Sequence, residues 1–275
     1  MKSSDLLLIN HEHVELWPQV LLDANGILPN LDDSALTHWA LRDKATGQFI
    51  SMFDPIIGWS DTPHMAEALS PSVERDAVKE SVADLIEAID ECRSNDECIP
   101  ATALVERLST LGLDAQSYAD QSALTLVDEP QILWFSGFDR YGRSIWLERR
   151  TARAWTDMQQ AAHRDGIVLE AISGFRSHWY QLGIFRRKLD KGQTVADILG
   201  VNAAPGFSEH HSGRALDIST PNEPPAEESF EGTTAFAWLQ SNAHHHGFHM
   251  SYPRDNRHGI TYEPWHWTWK ASKSE

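Results

Sequence analysis

Cysteine is scarce: the 275-residue chain has two, Cys92 and Cys98, too few for a disulfide-stapled scaffold. Their spacing is not the C-x-x-C of a zinc ribbon or a thioredoxin-like site, which leaves one local disulfide or two thiols. Long apolar runs are missing as well. None approaches the roughly 18 residues that a membrane-crossing helix needs. The opening MKSSDLLLINHEHVE contains only the short apolar patch Leu6–Ile9, below the length of an export-signal core, so the location is left open, cytoplasmic only by the absence of a signal peptide. Three catalytic signatures are absent. No lysine follows a serine by three residues, which excludes the S-x-x-K of penicillin-binding enzymes, and there is no G-x-S-x-G elbow and no H-E-x-x-H. The acidic stretch DECRSNDEC has neither the central glycine nor the final glutamate of a calcium loop.

Positive charge is short too, with 23 Lys+Arg against 40 Asp+Glu for a net charge of −17. The deficit is confined to one half. Residues 1–134 carry 24 acidic and 7 basic side chains, whereas residues 135–275 carry 16 of each. An acidic surface repels phosphate backbones and anionic lipid, so neither nucleic acid nor a membrane is an expected partner. The asymmetry predicts two differently built regions with a boundary at Asp128-Glu129-Pro130: residues 1–130 and residues 131–275.

In the first region, THWALRD and QFISMFD around Lys44–Gly47 read as a hairpin. Ser70-Pro71 opens a helix with Val78, Val82, Leu85, Ile86 and Ile89 on one face, and a second helix after Pro100 carries Leu104, Leu108 and Leu111 and stops at Gly112. Beyond the boundary, ILWFSGFDRYGRSIWL reads as two strands around a turn. Thr151–Asp165 forms an amphipathic helix with Trp155, Met158 and Ala162 inward; IVLEAIS is a strand; residues 178–190 form another helix with Leu182, Phe185 and Leu189 inward. His244, His245 and His246 read as helix-end residues. The expected fold class is α+β: a small antiparallel sheet with flanking helices carrying a zinc cleft, preceded by a mainly helical N-terminal region.

The chemistry concentrates in two fragments, SEHHSGRALD (Ser208–Asp217) and EPWHW (Glu263–Trp267). If RALDIS is a strand, its alternation sends Leu216 and Ile218 to one face and Asp217 to the other. A turn at Gly213 brings His210 back towards Asp217. In WHWTW, Trp265, Trp267 and Trp269 share one face while His266 and Thr268 share the opposite one. Two imidazoles and one carboxylate suit Zn²⁺ and leave a fourth position for water. Glu263 remains as a general base. His211 reads as an exposed neighbour.

These residues resemble a known family. S-x-H-x-x-G-x-A-x-D (Ser208, His210, Gly213, Ala215, Asp217) and E-P-W-H (Glu263–His266) are similar to the zinc D-alanyl-D-alanine carboxypeptidases of the VanY type, within the LAS metallopeptidases; SGFRS-x-x-x-Q (Ser173–Gln181) and GFHMSYP (Gly247–Pro253) resemble further family segments. One departure is Phe175 where tyrosine is common. The resemblance spans about residues 135–270 and implies His210, Asp217 and His266 as zinc ligands, Glu263 as catalytic base, and Arg176 on the substrate's terminal carboxylate or the developing oxyanion. Gln181, Ser208 and Tyr252 would be further substrate contacts. It implies hydrolysis of a terminal D-alanine, as a DD- or LD-carboxypeptidase, from peptidoglycan peptides or muropeptides. An endolysin-type endopeptidase and a non-catalytic zinc-stabilised wall-binding module are the alternatives.

Overall fold

A computed structural model describes residues 6–22, 38–54, 58–60, 80 and 97–271. The N-terminal part opens with five strands, β1 (Leu7–Asn10), β2 (Val14–Pro18), β3 (Trp39–Asp43), β4 (Phe49–Asp54) and β5 (Gly58–Ser60). Short strands β6 (Cys98–Ile99) and β7 (Glu129–Pro130) pair with each other and bracket helices α1 (Val105–Thr110) and α2 (Ala115–Ser122). The hairpin β8 (Ile132–Phe138) and β9 (Ser144–Leu147) then joins the first five strands in one antiparallel sheet, ordered β5-β4-β3-β2-β1-β8-β9. Strands from both sides of residue 130 therefore share one hydrogen-bonded sheet, with Leu8 opposite Leu133 at the join.

Among the described residues before 130, strands predominate, and the expected mainly helical N-terminal region is not shown by them. Leu7–Asn10 is buried on both faces, so it lacks the alternation that marks a half-exposed strand, and a run of that length carries no helical period either. The hairpin around Lys44–Gly47 forms as expected. So does the helical turn after Pro100, which Gly112 ends at φ +73°. The helix expected from Ser70 to Ile89 lies outside the described residues, as does Cys92. No helix among the described residues is long and apolar enough to cross a membrane.

The second half follows its sequence pattern closely. Helix α3 (Arg149–Arg164) starts where the Glu148 carboxylate accepts the Arg150 and Thr151 amides, and Gly166 at φ +76° closes it. It buries Trp155, Met158 and Ala162 against Leu216, Ile218, Phe248 and Trp267. Fully burying a side chain such as Met158 or Leu216 contributes roughly 1.5–3 kcal/mol. Strand β10 (Glu170–Ser173), helix α4 (His178–Asp190), helix α5 (Val195–Leu199), strand β11 (Ala215–Ser219), helix α6 (Thr234–Asn242), strand β12 (Phe248–Met250) and strand β13 (His266–Trp269) complete the described chain. The four strands make an antiparallel sheet in the order β10-β11-β13-β12. His244–His246 close a 3₁₀ turn after α6, the helix-end position expected of them.

Candidate metal centre

The register of β11 on β13 sets Asp217 directly opposite His266. Leu216 and Trp267 turn to the core below, so strand alternation leaves the carboxylate and the imidazole on the same opposite face. His210 arrives from a 3₁₀ turn (Glu209–Ser212) that Gly213 ends in the left-handed region, φ +66°. A Cβ at Gly213 would stand 2.8 Å from Leu133 Cδ2 and 2.9 Å from the Glu148 amide, so the turn requires glycine on two counts.

His210, Asp217 and His266 are all buried, and one ligand atom from each falls within 4.8 Å of the others. The ring nitrogens have distinct roles. His210 Nδ1 donates to the Gly174 carbonyl at 2.6 Å, which leaves Nε2 facing Asp217 Oδ1 at 3.3 Å without a hydrogen bond. His266 points Nδ1 at Asp217 Oδ1 (3.2 Å), while Nε2 faces the Glu209 carboxylate at 2.9 Å. An orphaned buried imidazole nitrogen, beside a carboxylate and a second imidazole, fits a divalent metal. Three carboxylates surround these rings: Asp217 is ion-paired with Arg176, while Glu209 and Glu263 both face His266.

Electrostatics follow from this crowding. Burial alone would raise Asp217, but His210 and Arg176 hold it well below the usual carboxylate range. Burial, with Arg176 nearby, lowers His210 to about 4. His266 resists burial, because its hydrogen bonds to Asp217 and Glu209 push it up to about 10. Burial pushes Glu263 up to about 7, against the pull of His266, whose Nδ1 lies 3.8 Å from Glu263 Oε2.

Every site residue expected from the sequence lines one cavity of about 340 Å³: Arg176, Gln181, Ser208, His210, Asp217, Tyr252, Glu263 and His266. Their exposure differs from a simple reading. Arg176 is only part-exposed, with Nε on Ser173 Oγ (2.9 Å) and Nη2 on Asp217. Gln181 donates to the Ala203 carbonyl at 3.0 Å and leaves Oε1 unpaired; the Tyr252 ring lies 4.8 Å from that of His266.

His211 is a correction. It is fully buried rather than exposed: Nδ1 bonds the Arg176 carbonyl at 2.6 Å and Nε2 accepts the Gly206 amide at 3.1 Å. It thus ties the Arg176 backbone to the loop carrying His210. Its ring also meets His178 edge-on at 4.5 Å. His178 in turn sits on Glu129, and Glu129 on Lys44 (2.5 Å), in a buried chain that reaches the N-terminal sheet. Sequence reasoning also misses Glu209. Its Oε2 receives both His266 Nε2 and Thr268 Oγ1 (2.5 Å), the placement of a carboxylate that orients a metal-binding histidine. Its position immediately before His210 is the one available signal.

A mixed helix-and-sheet fold thus carries a buried His/Asp/His donor set that could hold a metal ion, and comparison with known proteins says what the chain is similar to. Residues 144–272 match the family described as VanY: D-alanyl-D-alanine carboxypeptidase, so this part of the chain is similar to that family. Among curated relatives, "Putative carboxypeptidase YodJ" of Bacillus subtilis (strain 168) is 37% identical over 142 residues, covering 50% of this chain and 51% of its own. A D-alanyl-D-alanine carboxypeptidase of Enterococcus faecium is 29% identical over 135 residues, covering 48% of this chain and 40% of its own. The chain thus spans about half or less of the length of these relatives. Solved structures with similarity include the LdcB LD-carboxypeptidase (35% identity, 45% of this chain and 59% of that one, TM-score 0.43). Another is a mutant of the vancomycin resistance D,D-pentapeptidase VanY in complex with Zn(II) (25% identity, 55% and 80%, TM-score 0.39).

Proposed function

We propose that this protein is a zinc-dependent peptidase that removes the terminal D-alanine from peptidoglycan stem peptides. The observation that carries the reading is the convergence of Glu263, Arg176 and the His210–Asp217–His266 donor set on one cavity, in a part of the chain similar to the VanY family. His210 Nε2, an Asp217 oxygen and His266 Nδ1 would hold the metal, with Gly174 and Glu209 fixing the two rings from behind. Zinc, when bound, supplies a Lewis acid that polarises the scissile carbonyl and acidifies water.

The remaining work falls to side chains. Glu263 takes a proton from the attacking water and returns it to the departing amine, so the amine leaves neutral. Its burial suits this exchange, since it raises the carboxylate's basicity. Arg176 is the cation available to the substrate's terminal carboxylate or to the oxyanion that develops on attack, through the planar fork that suits either. Gln181 Oε1, buried and unpaired, is free to accept a substrate N–H. Ser208 and Tyr252 complete the wall. The test is mass spectrometry of a synthetic pentapeptide and tetrapeptide incubated with zinc-loaded protein. Loss of one D-alanine from either supports the reading; cleavage inside the peptide indicates an endopeptidase, and no cleavage of either supports a binding module.

A further inference from the structure

A second, larger cavity of about 480 Å³ abuts the first, and Arg176 and Asp217 line both. Its walls come from the two halves of the chain. On one side stand Trp17 of β2 and Arg42 of β3, with the Arg42 guanidinium 5.5 Å from the Trp17 ring; on the other stands one face of α4, through Tyr180, Gly183 and Arg187. These α4 positions recur at three- and four-residue intervals, so they form a continuous stripe. The opposite face, Leu182 and Phe185, is buried in the core.

The charges in this cavity do not cancel. Arg42 is paired with Glu15 (3.0 Å), Arg143 with Asp139 (2.5 Å) and Arg176 with Asp217, while Lys44 is satisfied by Glu129. Arg187 is exposed and has no carboxylate partner among the described residues. Beside it, Gly183 occupies a helix interior where glycine costs stability relative to alanine. Packing does not demand that glycine, because a Cβ there would touch only the far end of Arg187, Nη1 at 3.1 Å. The missing side chain leaves the space over Gly183 to the Arg187 guanidinium, an unspent positive charge at the cavity wall.

We propose that this larger cavity is a second substrate subsite, which takes a carboxylate-bearing segment of the peptide upstream of the scissile bond, with Arg187 as its anion contact. The proposal rests on the peptidase reading above and deepens it. The D-alanine end occupies the smaller cavity, and the chain leaves past Asp217 and Arg176 between α4 and the N-terminal sheet. That sheet then forms part of the recognition surface, and the buried Lys44–Glu129–His178 chain fixes its position against α4.

The experiment is calorimetric binding to zinc-loaded Glu263→Gln protein, using N-acetyl-L-Ala-γ-D-Glu-L-Lys-D-Ala-D-Ala and the same peptide with its glutamyl α-carboxyl amidated. The acid form is expected to bind roughly three- to tenfold more tightly, the range for one partly exposed charge-assisted contact. Adding Arg187→Gln removes the preference and Arg187→Lys restores part of it. Gly183→Ala raises the melting temperature yet weakens binding of the acid form, which a misfolded variant would not do. Equal affinity for the two peptides, binding of neither, or a preference that survives Arg187→Gln overturns the subsite. Hydrolysis by the parent separates the two readings: turnover of both peptides without a preference leaves the peptidase standing and removes the subsite. A preference that tracks Arg187 without any turnover does the reverse.

Discussion

Replacing Lys44 by methionine tests whether the N-terminal sheet and the C-terminal half are one structural unit. Lys44 Nζ donates to Glu129 Oε2 (2.5 Å), Asn10 Oδ1 (2.9 Å) and the His11 carbonyl (3.0 Å), and both charged side chains are 1% exposed. Glu129 meanwhile holds the His178 amide at the start of α4. Methionine matches the lysine stem in length but strands the Glu129 carboxylate in a buried site. Breaking such a pair costs about 3–5 kcal/mol. The ionisation of Glu129 gives a consistent figure. Burial would raise it, yet Lys44 and His178 draw it from 4.5 down to about 2, a difference worth about 3 kcal/mol at neutral pH. For a chain of this size the melting temperature should fall by roughly 10 °C.

The sign with pH is a further check on the same substitution. A carboxylate depressed on folding contributes its full stability above the unfolded value of 4.5 and loses it as pH falls from there towards 2. The parent should therefore lose stability over that window. Lys44→Met, whose Glu129 gains from protonation, should lose less, so the gap between the two proteins narrows in acid. Thermal melts from pH 7 to pH 3 measure it. A cost below about 1 kcal/mol at pH 7, or a gap that does not change with pH, would refute the reasoning.

Glu209→Gln should weaken zinc binding by tenfold or more, read by chelator competition, because His266 loses the carboxylate that orients its ring; unchanged affinity would remove Glu209 from the site. Gly213→Ala should cost roughly 2 kcal/mol or more, since the left-handed backbone and the contacts with Leu133 and the Glu148 amide both oppose a methyl group. A variant that melts like the parent would show that the turn has room.

What is legible in the sequence is local and periodic. The alternation in RALDIS and WHWTW places Asp217 and His266 on the faces they occupy, and the Trp155–Met158–Ala162 spacing marks the buried stripe of α3. Of the N-terminal strands only the β3–β4 hairpin is legible; β1 is not, since Leu7–Asn10 is buried throughout and its period is lost. Long-range polar partners are equally hidden. His211 looks like a surface residue until the Arg176 carbonyl and Gly206 amide close around it, and nothing local to Lys44 indicates that Glu129, 85 positions away, neutralises it. Glu209 belongs to the motif region, but its partner His266 lies 57 residues on.

The central claim is that Glu263 is the acid-base group of a zinc peptidase, and Glu263→Gln tests it most directly. Glutamine preserves the volume, and Glu263 is not one of the three residues whose ligand atoms converge. Zinc stoichiometry, melting temperature and D-alanine release should be measured together on parent and variant. The account predicts one zinc per chain and a similar melting temperature in both, with turnover reduced by roughly 10²-fold or more in the variant. A variant that holds zinc and releases D-alanine at a near-parental rate would contradict it.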